Sequence, residues 1–318
     1  MSTDYRQITF RSEGTDCDAW FFEPSPGGAF RRAEGCPVVV MAHGFGGTKD
    51  SGLEPFARAL SDCGLAVFAF DYRGFGASGG VRRQRVSMVE QADDYRAAVA
   101  AAARQPGVDA ARVVLWGVSM SGGHALTVAA DRTDVCAVIA MVPLVSGAAA
   151  GRLAYEQVGA GAIAGSTVRA VRSALSSRVG REAVMMPLVG RPGERAALTA
   201  DGYYESYLAL AGPTWRNEVD AAVGLELGGY RVGRRASRIG APVLMQIADS
   251  DRVAPPHPAA KVAVAAHAEV RHYPCDHFDI FPGQAWFEPA LAHQIRFLSR
   301  HLAEVATVDA QADAERTA

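Results

Sequence analysis

A serine lies at a predicted strand-to-helix junction near the middle of the chain, in the sequence Gly117-Val-Ser-Met-Ser-Gly-Gly123. The apolar residues before it predict a strand that ends at Gly117, and small residues continue until a helical segment begins near Gly122. A turn this sharp holds the serine in a strained conformation, so the positions two before and two after it must be nearly free of side chain. Gly117 and Ser121 meet that condition around Ser119, which is therefore a candidate nucleophile.

Ser121 is a competing candidate, because Ser119 and Gly123 flank it at the same spacing. The strand ends directly at Gly117, which puts Ser119 at the turn and Ser121 in the first helical turn, and this favours Ser119. The pattern has Ser121 where glycine is usual, and a glycine-rich loop without catalytic function would match it equally well. The rest of the sequence must therefore distinguish a nucleophilic serine from a noncatalytic loop.

The partners that a serine nucleophile needs follow two strand candidates near the C-terminus. Asp249 and Asp251 come directly after one of these strands, and His277 follows the next. Because the carboxyl ends of parallel strands meet at one edge of a sheet, we expect these side chains to approach Ser119. A histidine base oriented by a carboxylate activates a serine hydroxyl for attack on a carbonyl, and either aspartate fits that role.

The elements that must position these residues alternate regularly along the chain. Short apolar runs alternate with Ala- and Arg-rich segments of helical period, which predicts an α/β fold, a parallel sheet covered by helices. The strand candidates are residues 37–42, 65–70, 112–116, 135–141, 242–247 and 269–273, and the helix candidates are residues 53–61, 86–104, 122–130, 258–266 and 287–302. Residues 7–10 and 17–23 predict an antiparallel hairpin at the edge of the sheet.

One long segment interrupts this alternation. It contains no convincing strand but much helical composition with Gly and Pro breaks, and the alternation resumes directly after it. We therefore predict a core of residues 1–146 and 239–305, a helical lid insertion of residues 147–238, and a disordered tail of residues 306–318. Large side chains in the insertion predict either core packing or a pocket wall; they are Tyr155, Met185, Met186, Tyr203, Tyr204, Tyr207 and Trp215. The sequence assigns no role to Trp215-Arg-Asn-Glu218.

Taken together, these motifs resemble the serine hydrolases of the α/β-hydrolase superfamily, in the branch of dienelactone hydrolases, acetyl xylan esterases and X-prolyl peptidases. The resemblance implies the α/β-hydrolase fold, with a mostly parallel sheet and an inserted helical lid. The matching stretches are Met41-Ala-His-Gly-Phe-Gly-Gly47, Phe70-Asp-Tyr-Arg-Gly-Phe-Gly-Ala-Ser-Gly-Gly80, Gly117-Val-Ser-Met-Ser-Gly-Gly123, Asp249-Ser-Asp251 and His277-Phe278.

The resemblance also implies roles for particular residues. In such enzymes the triad acid precedes a Val-Pro-Pro-like stretch by two or three residues, which favours Asp251 over Asp249. The stretch that begins at His43 resembles the oxyanion loop, so the backbone amides of Phe45 and Met120 are expected to stabilise an oxyanion. The implied activity is hydrolysis of an ester, thioester, lactone or activated amide through an acyl-enzyme.

Two other functions are compatible with the same scaffold. The serine, the histidine and the oxyanion donors would also serve an acyltransferase, a cyclase or a lyase of a biosynthetic pathway. A noncatalytic binding module is disfavoured, because all members of the triad are present. In each catalytic case the expected partner is a small-molecule acyl substrate, and a homodimer remains open.

Composition disfavours other classes of protein. The 32 Lys and Arg residues balance 34 Asp and Glu residues to a net charge of -2, so nucleic acid is not an expected partner. The five cysteines are scattered, the histidines lack metal-ligand spacing, and no long apolar stretch predicts a membrane span. Gly74-Phe-Gly-Ala-Ser-Gly79 matches a dinucleotide fingerprint but lacks the helix that should follow. We expect a cytoplasmic, bacterial enzyme without membrane association, metal or cofactor.

Overall fold

The strands of the computed structural model, which describes residues 5–302, form one large sheet. In chain order its strands are β1 Arg6–Ser12, β2 Thr15–Phe22, β3 Cys36–Ala42, β4 Ala66–Phe70, β5 Val108–Val118, β6 Val135–Met141, β9 Val243–Ala248 and β10 Glu269–Tyr273. Their spatial order is β1-β2-β4-β3-β5-β6-β9-β10. The β1–β2 hairpin joins β4 in antiparallel register, and every pairing from β4 to β10 is parallel. This confirms the predicted α/β-hydrolase fold and the edge hairpin.

The central strands are buried on both faces because helices cover both sides of the sheet. All seven residues of β3 are buried, as its run of valines predicts. Ala42 on β3 pairs with Gly117 on β5, so the two strands end at the same level. The loops that follow these two strands therefore lie side by side.

The helices that cover the sheet match the helical periods of the sequence. They are α1 Glu54–Asp62, α2 Met88–Ala102, α3 Met120–Ala129, α7 Pro256–Ala265 and α8 Phe287–Leu302. The predicted start of the third helix near Gly122 was two residues late. It begins at Met120 because Ser119 completes the turn by itself in a positive-φ conformation.

Between β6 and β9 the chain forms the segment predicted to be a lid, and we call residues 147–238 the lid segment. Its α-helices are α4 Gly147–Arg178, α5 Tyr203–Leu210 and α6 Val223–Leu227. The prediction of no strand here was wrong, because β7 Met185–Met186 pairs with β8 Val219–Asp220. Two-residue strands are too short to give a period-2 pattern in a sequence. The predicted domain boundaries stay a prediction, and the predicted tail, residues 306–318, lies outside the described residues.

A buried carboxylate shapes the glycine-rich loop after β4. Asp71 accepts hydrogen bonds from the Lys49 and Ala77 amides at 2.7 and 3.0 Å, and its Oδ2 lies 2.6 Å from Lys49 Nζ. A Cβ on Gly76 would lie 2.2 Å from this same carboxylate. Gly76 of the fingerprint-like stretch thus lets the loop close around Asp71. No helix in residues 5–302 has the length and apolar composition to cross a membrane.

Candidate active site

Ser119 lies in a strained turn between β5 and α3. Its backbone has φ 57° and ψ -119°, and its amide donates to the Met141 carbonyl at 2.8 Å. A Cβ on Gly117 would lie 2.2 Å from the Ser121 carbonyl oxygen, and one on Gly123 would lie 2.3 Å from a backbone oxygen. These positions therefore require glycine, which is the physical reason for the small residues in the motif.

The second serine of the motif has a different environment. Ser121 is fully buried, and its hydroxyl accepts from the Val118 amide at 2.9 Å while lying 2.6 Å from the Ala42 carbonyl oxygen. The hydroxyl thus bridges the ends of β3 and β5 and has no access to a substrate. This bridging role gives a structural reason for serine at a position where the motif usually has glycine.

His277 and Asp251 form a buried pair at the carboxyl ends of β10 and β9. His277 Nδ1 lies 2.6 Å from Asp251 Oδ2, and the other carboxylate oxygen accepts from the Val253 and Ala254 amides at 2.8 and 2.7 Å. A proton on Nδ1 leaves Nε2 free to act as a base. The alternative acid, Asp249, is paired at the surface with His272 and does not contact His277.

Ser119 and His277 line one small cavity of about 40 Å³. Within residues 5–302 their side chains are not hydrogen-bonded to each other, which is common in enzymes without substrate because such contacts tighten on binding. The structure therefore brings all three predicted triad residues to one edge of the sheet, with the Asp251–His277 contact formed.

The predicted oxyanion donors lie beside Ser119. Gly44 is so close to this serine that a Cβ there would lie 3.1 Å from the Ser119 Cβ. In the described part of the chain, the amides of Phe45 and Met120 donate no hydrogen bond, and both residues line a cavity with Ser119. Two unpaired amides next to a nucleophile are the arrangement that stabilises a negative oxygen.

Contacts from the core and from the lid segment hold this loop in place. His43 Nδ1 lies 3.0 Å from the Gly44 carbonyl oxygen, and the Tyr207 hydroxyl of α5 donates to the Phe45 carbonyl at 2.8 Å. Burial lowers the pKa of His43 although the Asp71 carboxylate opposes this effect, so the ring is neutral at pH 7. His43 is therefore a structural residue of the loop.

One residue beside the site, Asp276, was not predicted from any motif. Asp276 accepts hydrogen bonds from the His277 amide, the Tyr203 hydroxyl and the Arg252 Nε at 2.7, 2.7 and 2.6 Å. Burial raises the pKa of Asp276, but these hydrogen bonds outweigh burial and leave the pKa below its ordinary value. Asp276 thus joins the loop after β9, the loop after β10 and the lid segment. An aspartate beside a histidine is too common a pair to indicate this role.

A second, larger cavity of about 330 Å³ extends from Ser119 beneath the lid segment. Its lining is mostly apolar and includes Leu144, Ala154, Val158, Ile163, Leu198 and Val223. The large side chains of the lid segment lie in several different environments. Tyr203 and Met186 line the large cavity, Tyr207 lines the small one, and Tyr155 is exposed.

The stretch Trp215-Arg-Asn-Glu218, to which the sequence assigned no role, makes packing contacts and hydrogen bonds within the lid segment. Trp215 stacks on Tyr207 with ring centroids 5.2 Å apart. The Asn217 amide pairs with both backbone groups of Val189, at 2.8 and 3.0 Å. The first contact packs Trp215 against α5, the helix whose Tyr207 hydroxyl donates to the Phe45 carbonyl.

The fold and this arrangement of side chains define an α/β hydrolase, an enzyme of hydrolase type. The chain belongs to the serine aminopeptidase family S33, whose pattern it matches over residues 33–277. The narrower branch predicted from the motifs stays a prediction.

Three known proteins illustrate the relationship. The quorum-quenching protein AidA of Acinetobacter baumannii is 36% identical over 296 residues, which cover 92% of this chain and 94% of AidA. The polyketide transferase af380 of Aspergillus fumigatus is 26% identical over 274 residues, covering 84% and 90% of the two chains. The crystal structure of the alpha/beta hydrolase GrgF from Penicillium sp. sh18 has a TM-score of 0.75 at 22% identity and covers 94% and 99% of the two chains.

Proposed function

We propose that this protein is a serine hydrolase that cleaves an ester, thioester, lactone or activated amide through an acyl-enzyme. The observation that carries the proposal is the buried contact between His277 and Asp251, at 2.6 Å, facing the cavity that Ser119 lines. The unpaired amides of Phe45 and Met120 beside the same serine support it.

Each of these groups has a defined role in the reaction. His277 Nε2 takes the proton of the Ser119 hydroxyl as its oxygen attacks the substrate carbonyl carbon, and Asp251 stabilises the imidazolium that forms. The Phe45 and Met120 amides stabilise the negative oxygen of the tetrahedral intermediate, and each such donor contributes about 3 kcal/mol. The imidazolium then protonates the departing group.

Deacylation repeats these steps with water. His277 removes a proton from a water molecule, whose oxygen attacks the acyl carbon and releases Ser119. The His277 imidazolium returns this proton to the Ser119 oxygen as the bond to the acyl carbon breaks, the product leaves as a carboxylic acid, and the enzyme returns to its starting state. The substrate is a small acyl molecule, and none of these steps requires a cofactor.

A second function, acyl transfer to an acceptor other than water, is favoured by one observation. The cavity of about 330 Å³ that reaches Ser119 is mostly apolar, and an apolar site can exclude water from an acyl-enzyme. The relative named as a polyketide transferase is in accord with this alternative.

Turnover in isotopically labelled water tests the proposed function. We expect short acyl esters to be cleaved with ¹⁸O entering the carboxylate product, and we expect the S119A variant to lose this activity. Product that contains no ¹⁸O would favour acyl transfer. Full activity in the S119A variant would refute the role of Ser119.

A further inference from the structure

The two cavities that meet at Ser119 are very different in size. The small one has about 40 Å³ and the large one about 330 Å³. They share Phe45, Ser119, Leu198 and Val253, so they are two arms of one substrate site that branch at the nucleophile. A substrate bound at Ser119 must place one side of its scissile bond in each arm.

The position of His277 determines which arm holds the leaving group and which holds the acyl group. His277 lines the small arm and is absent from the lining of the large arm, whereas Met120 lines the large arm. The imidazolium must protonate the departing atom, so the leaving group has to lie beside His277. The remainder of the acyl group then extends past Met120 beneath the lid segment.

From this geometry, and on the basis of the proposed function, we infer that the substrate carries its bulk on the carbonyl side of the scissile bond and has a small leaving group. A cavity of roughly 150 Å³ holds a benzene molecule, so the large arm has room for about a dozen non-hydrogen atoms and the small arm for about two. A lactone substituted next to its carbonyl carbon meets the same requirement, because its leaving alkoxide is a short part of the ring.

The lining of the large arm indicates an uncharged, apolar acyl group. Arg252 is the only charged residue among those that line it in the described chain. Its guanidinium is already paired with Asp276 at 2.6 Å and lies over the Tyr203 ring at 4.9 Å from the centroid. The large arm therefore presents no unpaired cation to a charged acyl group.

Isomeric substrates test this orientation directly. Methyl decanoate and nonyl acetate have the same formula, but the long chain is on the acyl side in the first and on the leaving-group side in the second. The lactone pair is α-octyl- and γ-octyl-γ-butyrolactone. We expect kcat/KM to be at least about tenfold higher for methyl decanoate and for the α-substituted lactone. Equal values, or a preference for the other isomers, would overturn the inference.

A matched pair of variants on α4 tests the location of the acyl group. Ala154 lines the large arm, whereas Ala164 is exposed on the same helix and does not line it. We expect A154W to lower the ratio of kcat/KM for methyl decanoate to that for methyl acetate by at least about tenfold. The ratio should stay unchanged in A164W. Equal ratios in A154W and in the wild-type protein would contradict the inference.

Failure of this inference can be told apart from failure of the proposed function. Preference for nonyl acetate with full dependence on Ser119 would refute only the orientation. Absence of turnover together with absence of serine labelling by a fluorophosphonate would refute the proposed function. If the serine is labelled but no ester or lactone turns over, the rate of inactivation by decanesulfonyl fluoride tests the orientation of the acyl group instead. A154W should slow it at least about tenfold and A164W should not, and an unchanged rate in A154W would refute the orientation.

Discussion

At the scale of single residues, the site depends on which of two chemically similar neighbours has the required contact. Asp251 and Asp249 are two positions apart, yet only Asp251 contacts His277, and Asp249 is at the surface with His272. In the same way, Ser121 is saturated with hydrogen bonds while Ser119 faces two cavities. Sequence motifs identify such pairs, but only the local turn determines which member is at the site.

The two aspartates provide a matched pair of substitutions. We expect D251N to lower kcat by about 10³- to 10⁴-fold, because an amide cannot hold the His277 ring in the tautomer that acts as a base. D249N should leave kcat within about twofold of the wild-type value, because Asp249 and its partner His272 are exposed and line neither cavity at Ser119. Steady-state kinetics on one ester would check both values. A larger loss in D249N would make Asp249 the acid.

Ser121 is expected to contribute to stability. Removing its hydroxyl leaves the buried Val118 amide and the Ala42 carbonyl without this partner, which should lower the free energy of unfolding by about 1–3 kcal/mol. The S121A variant should still react at Ser119. Urea unfolding together with fluorophosphonate labelling would check this, and a stable variant that no longer reacts would contradict it.

At the scale of secondary structure, the bend in α4 determines how the lid segment reaches over the site. Gly159 has φ 78° and ψ 171° within this helix, a conformation that is essentially restricted to glycine. Gln157 and Val158 before the bend and Ile163 after it line the large cavity. The backbone of a single glycine thus allows both halves of α4 to contribute to the wall.

A pair of glycine substitutions tests the bend. We expect G159A to lower the free energy of unfolding by about 1–3 kcal/mol because alanine is strained there. G165A, in the regular second half of α4 with open space around it, should raise it by about 0.5–1 kcal/mol. Denaturant unfolding of both variants checks these signs. Equal effects would show that the bend does not require glycine.

The sequence predicted the elements of the core more successfully than those of the lid segment. The predicted strand 135–141 and the predicted helix 287–302 match β6 and α8, because long runs with one clear period dominate those segments. The hydrogen bonds of Asp276 and the partners of Ser121 join residues far apart in the chain, so no local pattern reveals them. The two arms of the cavity depend on packing of the lid segment, which local periods do not specify.

At the scale of the whole molecule, a buried histidine behind the site links stability to pH. His124 is fully buried, lies 3.1 Å from Gln91 Oε1 through Nε2, and lies 3.2 Å from the Tyr230 hydroxyl through Nδ1. Burial, with a smaller contribution from His43, lowers the pKa of His124 to about 3. A histidine in an unfolded chain has a pKa of about 6.5.

The sign of the expected pH dependence follows from proton binding. Between pH 6.5 and about 3 the His124 ring is protonated in the unfolded state and neutral in the folded state. The contribution of His124 to the free energy of unfolding is therefore complete above pH 6.5 and is lost as the pH falls. Between pH 7 and pH 5 we expect the free energy of unfolding of the wild-type protein to fall by about 2 kcal/mol more than that of the H124Q variant. Urea unfolding across this range provides the check. Parallel pH profiles of the two proteins would contradict it.

The site of covalent labelling shows most directly which serine His277 activates. The intact protein is treated with a fluorophosphonate, digested, and the modified peptide is fragmented in a mass spectrometer to separate Ser119 from Ser121. We expect one adduct, on Ser119, with labelling strongly slowed in the H277A variant. An adduct on Ser121, or labelling at the same rate without the imidazole, would contradict it.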